Sequence, residues 1–322
     1  MSLDISIIIC CYNSAPRLSQ TLKHLAEQEM PSEIDWEVIV VDNNSSDNTA
    51  EIAIDLWEEY GAPVNMKVVP EPEPGLSHAR KKGVYEAEGE IIVFCDDDNW
   101  LASSYVETSY ELMKGHPEIG VLGGSGWPVS DEGVEIPIWF WSKLGMYACG
   151  APQPESGDVS FLYYSIAGAG QVLRRKVLLD LYDSGFLNLT LDRKGETLSS
   201  GGDTEISYWH LLVGYQLYYS SDLVFWHYMP PKRLQIEEYY RQAREGTQSK
   251  KVLEVYKPLI KGIRFRKNKL RSGLKFVIKR SLGMEFHEDL VRLPMLFKIF
   301  AKSDAKAIFY SVQRFRRLHS KM

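Results

Sequence analysis

Three consecutive aspartates, Asp96, Asp97 and Asp98, follow directly on an apolar run at 91–95. Carboxylates held that close repel one another, and a divalent cation is the simplest relief. Hard oxygen ligands suit Mg²⁺ or Mn²⁺, held jointly with substrate phosphates. A solvated acidic turn fits the same three residues. Two more polar clusters close apolar runs: Tyr12 and Asn13 after residues 5–11, and Asp42 and Asn43 after residues 36–42. Asp203 and Glu205 open an amphipathic stretch, where acids suit the first turn of a helix. His227 ends a short apolar run among aromatic residues, a place where a histidine is usually a hydrogen-bonded core residue. Trp139 and Trp141 sit in a stretch rich in Gly, Pro and Trp; such rings stack on sugar faces or anchor loops.

The elements that must carry these groups follow from periodicity. Residues 5–11, 36–42 and 90–95 are near-continuous apolar runs, and 66–69 is a shorter one. Helical patterns at 16–28, 48–60 and 79–88 separate them. Strands apolar on both faces and divided by helices imply a parallel sheet covered on both sides. Ligands bind such sheets beyond the carboxyl ends of the strands, which is where the polar clusters fall. Residues 120–202 show no clear period. Beyond them come a helix at 203–213, short strands at 216–220 and 223–227, and helices at 234–243, 252–263, 270–282, 290–299 and 308–318. The expected fold class is therefore α/β, followed by a helical C-terminal region.

Composition narrows the class. The 322 residues are 44% hydrophobic and 25% charged, the balance of a globular protein and not of a disordered or collagen-like chain. The net charge of −6 conceals an asymmetry. Residues 232–322 hold 24 bases against 8 acids, a net of +16, while residues 1–231 hold 13 bases against 35 acids, a net of −22. Pro230 and Pro231 mark the change. The first residues lack a basic region, apolar core and cleavage site, and the four cysteines have neither zinc-ligand spacing nor the look of a disulfide framework. A reducing, cytoplasmic setting is expected.

Six segments together resemble the family-2 inverting glycosyltransferases of the GT-A fold. They are SIIICCYN opening 6–28, VIVVDNNSSDNT (38–49), GLSHARKKG (75–83), IIVFCDDDNW (91–100), SGGDTEISYWHLLVGYQLYY (200–219) and FWHYMPPKRL (225–234). They occur in family order over residues 5–245. The resemblance implies a GT-A sheet, mostly parallel and Rossmann-like with flanking helices, over residues 1–231. A nucleotide-sugar half would span 1–100 and an acceptor half 101–231. A basic helical region at 232–322 would follow.

What the resemblance implies residue by residue is a donor site for a uridine nucleotide. Tyr12, Asn13 and Asp42 take the base and ribose, with Asp42 able to accept the uracil N3–H. Arg80 matches the family arginine near the nucleotide, and Asp97 falls to the nucleotide sugar. Asp96 and Asp98 are the ends of the DXD motif, Asp98 as direct ligand of Mn²⁺ or Mg²⁺ and Asp96 between ribose and metal. Asn99 stands where the family often has another acid, and Cys10 and Cys11 replace its usual Pro and Thr or Val. Asp203 matches the aspartate of the family's Glu-Asp motif, the catalytic base that takes the acceptor hydroxyl's proton; the Glu is Gly202 here. His227 matches the late histidine that completes the metal or diphosphate site. Gly202, Arg233, Trp139 and Trp141 fall to the acceptor side.

The implied activity is transfer of a sugar from a nucleoside diphosphate donor to a glycan or lipid-linked acceptor, in bacterial surface polysaccharide or glycolipid synthesis, with no nucleic-acid partner. A sugar nucleotidyltransferase would need a Gly-rich phosphate loop after the first strand, and a dehydrogenase GxGxxG; that place holds CCYNSAPRLSQ. A sugar-nucleotide or glycan-binding module with a decayed site remains as the alternative. In residues 257–280, Leu270, Leu274, Val277 and Ile278 at helical spacing accompany Lys267, Lys269, Arg271, Lys275, Lys279 and Arg280. Such a segment suits an anionic membrane surface at the inner face of the plasma membrane. It equally suits packing on the catalytic domain with its bases in water.

Overall fold

The computed structural model describes residues 3–161, 165–190, 201–260 and 303–319. β1 (Ile5–Cys11), β2 (Trp36–Asp42), β3 (Met66–Pro70) and β4 (Ile91–Asp96) lie parallel in the order β3-β2-β1-β4. Their runs of Ile and Val bury both faces: Ile5, Ile7 and Ile9 enter one core, Ile8 the other. Burying each such side chain contributes roughly 1.5–3 kcal/mol. The first core is covered by α1 (Leu18–Ala26), α2 (Thr49–Glu59) and, further on, α4 (Tyr105–Gly115). α3 (Leu76–Glu86) covers the second with Ala79 and Val84.

Past β4 the sheet changes character. β5 (Asn99–Leu101) follows the aspartate turn, and β6 (Ile119–Val129) is a long strand in the stretch that shows no sequence period. A four-residue helix α5 (Ile138–Trp141) and a 3₁₀ turn at Leu144–Tyr147 precede β7 (Gly157–Asp158) and β8 (Val172–Arg174). β8 is antiparallel to both β4 and β6. After α6 (Arg175–Asp183) and α7 (Gly202–Val213), the two expected short strands are one, β9 (Gln216–Tyr228). It runs parallel to β6, with register shifts between Ile119 and Val121 and between Gly123 and Ser125. β5 pairs antiparallel to β9, setting Asn99 opposite His227.

The helix expected from 234 begins two residues later, after a 3₁₀ turn at Pro231–Leu234, as α8 (Ile236–Leu253). Residues 256–260 are helical again. The final described helix, α9 (Ser303–His319), packs on α6 and α7. Tyr256, Leu259, Ile260, Ile308 and Phe315 are buried in the second core with Trp209 of α7. Of the segment 257–280, Leu259 and Ile260 thus face the catalytic core; residues 261–280, with every base and apolar position assigned to a membrane surface, and the helices expected at 270–282 and 290–299 lie outside the described residues. No helix among the described residues is long and apolar enough to cross a membrane.

Candidate active site

The parallel strands stop at one edge of the sheet, and their terminal residues meet there. Cys10 of β1 pairs with Asp96 of β4, and Cys11 with Asp42 of β2. Beyond them a cavity of about 300 Å³ is lined by Tyr12, Arg17, Asn43, Asn44, Pro74, Gly75 and Asp96–Asp98, among others. Tyr12 is 47% exposed, so its ring is open to a planar ligand. Asn13 adopts a left-handed backbone (φ 49°), and its side-chain oxygen accepts the Ser46 N–H at 2.8 Å. Asp42 accepts the Ser45 N–H at 3.1 Å, curling the chain after β2.

Asn43, to which no separate role follows from sequence, organises the opposite wall. Its Nδ2 donates to the carbonyls of Glu71 (3.0 Å) and Glu73 (2.7 Å), and its Oδ1 accepts the Gly75 N–H (2.8 Å). Buried at 5% exposure, it pins the segment that carries Pro74, Gly75 and Leu76 into the cavity. Gly75 sits at φ 139°, a conformation that L side chains rarely adopt.

The three aspartates do three different things. Asp97 is held by Ser14 and by the Arg17 guanidinium, whose Nε lies 3.1 Å from Oδ2. Burial, then neighbouring Asp98, push its carboxyl above the usual range, against the pull of Arg17. Although it lines the cavity, Asp97 ties the turn to the start of α1. Asp98 instead faces β9. Its Oδ1 is 3.3 Å from His227 Nε2 and accepts the Asn99 amide at 3.2 Å; its Oδ2 accepts Arg233 Nη1 at 3.2 Å. Asn99, in the place of a family acid, also accepts the Asp96 N–H through Oδ1 and so closes the turn (3.3 Å). Asp96 lines this cavity and the next.

His227 is oriented by its other nitrogen. Nδ1 lies 2.7 Å from the Tyr147 carbonyl oxygen, which only accepts, so Nδ1 carries the proton. In the neutral ring Nε2 then presents a lone pair on the side of Asp98, where Arg233 Nη1 lies 3.3 Å from it. One carboxylate and one imidazole nitrogen aimed together fit a cation of the Mn²⁺ or Mg²⁺ kind that completes its shell with phosphate oxygens. Among the described residues no group of three or more His, Cys, Asp or Glu could hold a metal alone.

A second cavity of about 330 Å³ shares Leu76 and Asp96 with the first. Arg80, Gly168, Asp203, His227 and Arg233 line it, with Gly145–Ala148 and the α8 residues Gln242, Ala243 and Gly246. Asp203 is the second residue of α7. Its Oδ2 accepts the Gly168 N–H (2.9 Å) and its Oδ1 the Thr204 N–H (2.7 Å). Arg80, 6% exposed, lies over the Phe94 ring at 5.6 Å. Gly168 separates the two: a Cβ there would meet Arg80 Nη2 at 2.7 Å and Asp203 Cβ at 3.2 Å. Glu205 is no rival to Asp203. It is buried and accepts bonds from Tyr256, from the Leu189 N–H, and from both the amide and hydroxyl of Thr190.

Tyr12, Asp96 and Asp98 thus line the first cavity and Asp203, Arg80, His227 and Arg233 the adjoining one, while Asn13 and Asp42 stand at the same strand edge and line neither. Gly202 is buried at the start of α7 and lines neither cavity. Trp139 and Trp141 line neither cavity as well. Trp139 packs on Phe140 and Tyr239, and Trp141 faces solvent. No role for Arg17, Gly168 or Tyr147 is legible in the sequence, where their signals are lost in ordinary helix and loop composition.

Comparison with known proteins bears on the family and the fold. Residues 6–156 match the family described as glycosyl transferase family 2. A cholesterol galactosyltransferase of Borreliella burgdorferi is 34% identical over 110 residues, covering 34% of this chain and 29% of the relative. The chain spans less than half the length of each curated relative compared. Among solved structures, Staphylococcus aureus TarS 1–349 in complex with UDP is similar over 99% of this chain and 92% of that one (19% identity, TM-score 0.51). GalNAc-T7 with UDP, GalNAc and Mn²⁺ is similar over 71% and 44% (16% identity, TM-score 0.51). The fold is that of the GT-A enzymes, a mostly parallel sheet with flanking helices.

Proposed function

From the match of residues 6–156 to glycosyl transferase family 2, we propose that this chain is a glycosyltransferase of that family and that it transfers a sugar from a UDP-linked donor to a hydroxyl acceptor with inversion, using Mn²⁺ or Mg²⁺. The observation that carries the reading is the convergence of Asp98, His227 and Arg233 where the two cavities meet. The first cavity suits the nucleotide. Tyr12 offers a ring for the base, Asn13 and Asp42 polar groups for base and ribose, and Asp42 an acceptor for an imide N–H. Asp98 and His227 would hold the cation, with Asp96 on the ribose side. When bound, that ion neutralises charge gathering on the departing diphosphate.

The remaining steps fall to side chains. Arg233 and Arg80 bring positive charge to the diphosphate, and Arg80 is kept in place by Phe94 and Gly168. Asp203 removes the proton of the acceptor hydroxyl as that oxygen forms its bond to C1. The C1–O bond to the diphosphate breaks, and its electron pair leaves with UDP. Two of the roughly four lone-pair sites of the Asp203 carboxylate are occupied by backbone amides, which fixes its direction and leaves acceptor capacity for the substrate. The acceptor is read as a glycan or lipid-linked hydroxyl, and the protein as a cytoplasmic enzyme of surface polysaccharide or glycolipid synthesis that works at the inner membrane face. A catalytic unit at 1–231 followed by a basic region at 232–322 belongs to the same reading.

A thermal-shift screen of nucleotide sugars with and without Mn²⁺ tests the donor assignment. Ligand at 100 times its Kd stabilises the native state by about 2.7 kcal/mol. UDP-sugars should give the largest, Mn²⁺-dependent shift; an equal response to guanosine or adenosine donors would overturn the uridine assignment.

A further inference from the structure

Part of the second cavity's wall comes from α8, a helix that lies beyond the expected catalytic unit. Gln242, Ala243, Gly246 and Leu253 of α8 line the cavity together with Asp203 of α7. Residues three, four and seven apart share one face of a helix, so these four form a single stripe turned to the cavity. The chain is tied down on both sides of that stripe. Before it, Tyr239 packs on Trp139 at 5.8 Å. After it, the Tyr256 hydroxyl donates to Glu205 of α7 and accepts the Trp209 indole N–H at 3.0 Å. The helix that carries Asp203 and the chain that leaves α8 are thus bonded to each other.

Gly246 is the unexpected member of the stripe. It lies well inside α8, where glycine weakens a helix relative to alanine. The usual structural reasons for a glycine do not apply to it. Its backbone is helical, so no left-handed φ calls for it, and a Cβ placed on it meets no atom within 4 Å among the described residues. Gly168 in the same wall is the opposite case, crowded by Arg80 and Asp203. The side chain that Gly246 lacks would therefore stand in open space on the cavity side of α8.

We propose that α8 selects the acceptor: Gly246, with Ala243 beside it, keeps open the part of the second cavity that receives a single sugar unit, and Gln242 gives that unit a polar partner. Ligand pockets combine apolar walls with a few convergent polar groups. Here Leu76, Met146 and Leu253 supply the first, and Gln242 and Asp203 the second. A pyranose, with hydroxyls around a hydrocarbon ring, matches that lining. At about 330 Å³ the cavity lies at the lower end of the ~300–1,000 Å³ range of such pockets, which suits one unit and not a chain of them. The Gln242 amide is held by Glu238 Oε1 at 3.3 Å. The inference rests on the reading of this cavity as the acceptor side, and it carries that side past residue 231.

The test is a UDP-release assay on the full chain with UDP-glucose, UDP-galactose and UDP-N-acetylglucosamine as donors. The methyl glycosides of the same three sugars serve as acceptor probes, and the quantity read is the release that they add to the rate in water alone. At least one of them should add release in the wild type. Gly246→Leu fills the open space and should lower that increment at least tenfold, while UDP affinity by calorimetry stays within twofold. Arg244→Leu puts the same side chain on the exposed side of α8 and should keep the wild-type increment. Gly246→Ala should melt about 2–4 °C higher, as expected for a helix relieved of a glycine that packing does not need. An unchanged increment in Gly246→Leu, equal losses in the two leucine variants, or a lower melting temperature of Gly246→Ala overturns the inference. So does a wild type that no methyl glycoside stimulates. A matching loss of UDP affinity in Gly246→Leu assigns the space to the donor and overturns it as well. Failure of the donor reading would appear separately, as a wild type that neither binds UDP nor releases it from any of the three donors, and would take this inference with it.

Discussion

Replacing Asp203 with asparagine separates the two roles that its position allows. The carboxylate accepts one amide N–H on each oxygen, Gly168 at 2.9 Å and Thr204 at 2.7 Å. In the variant one of those amides faces an NH₂ group whichever way the new side chain lies. A hydrogen bond to a charged acceptor contributes ~1.5–3 kcal/mol, and a carboxylate in a helix's first turn a further ~0.3–1 kcal/mol. The variant should therefore be about 2–4 kcal/mol less stable. At roughly 2–4 °C per kcal/mol, its Tm should fall by some 4–16 °C. Loss of a general base is a different quantity, ~10²–10⁴-fold in turnover. The assay measures transfer from a UDP-sugar at a temperature where both proteins are folded, with UDP affinity by calorimetry alongside. Glu205→Gln is the control: it disturbs a buried carboxylate bound to Tyr256 and Thr190, so it should lower Tm while leaving kcat near wild type. If Asp203→Asn loses stability but keeps kcat within about threefold, Asp203 only caps α7 and the base assignment is wrong.

Asn43→Ala should weaken UDP binding about tenfold in a calorimetric titration, because three hydrogen bonds that hold the Pro74–Leu76 wall disappear; unchanged affinity would separate that wall from the nucleotide. His210 is fully buried, and burial drives its pKa down from 6.5 to about 4. The unfolded chain takes up the proton first, so this residue's effect on stability is absent above pH 6.5 and grows to a loss of about 3 kcal/mol as pH falls to about 4. Denaturant titrations at pH 7 and 4.5 should show a smaller acid loss in His210→Gln than in wild type, and equal losses would refute the assignment.

The parallel half of the fold is legible because its signals are local. The apolar runs of β1, β2 and β4 can be satisfied only between two layers of helices, and the polar residues that end them must meet at one edge. β6 is hidden for the opposite reason. Gly123, Gly124 and Gly126 make it read as irregular, yet a Cβ at Gly124 would collide with the Leu223 carbonyl of β9, so the crowding that selects glycine comes from a strand about a hundred residues away. Asp98 and His227 are recognisable as a pair through family resemblance, and β5–β9 pairing is what brings them together. Glu205 reads from sequence only as an acid in a helix's first turn; its burial against Tyr256 depends on the packing of residues 253–260 onto α7. Trp139 and Trp141 looked alike by composition, but one holds α5 to α8 and the other faces solvent. Helical spacing over four residues is too short to tell them apart.

Calorimetric titration of UDP into the wild type and into Asp98→Asn, each with and without Mn²⁺, tests the donor–metal site most directly. The substitution keeps the side chain's shape and relieves repulsion with Asp97, so the fold should survive. It removes the carboxylate that faces His227 and Arg233. Wild-type protein should bind UDP more tightly with Mn²⁺ than without. The variant should lose that dependence, with affinity in Mn²⁺ at least ~100-fold weaker, which corresponds to about 2.7 kcal/mol. UDP affinity that ignores Mn²⁺ in the wild type, or that is the same in Asp98→Asn, would contradict the assignment of Asp98 and His227 as the place where donor and cation meet.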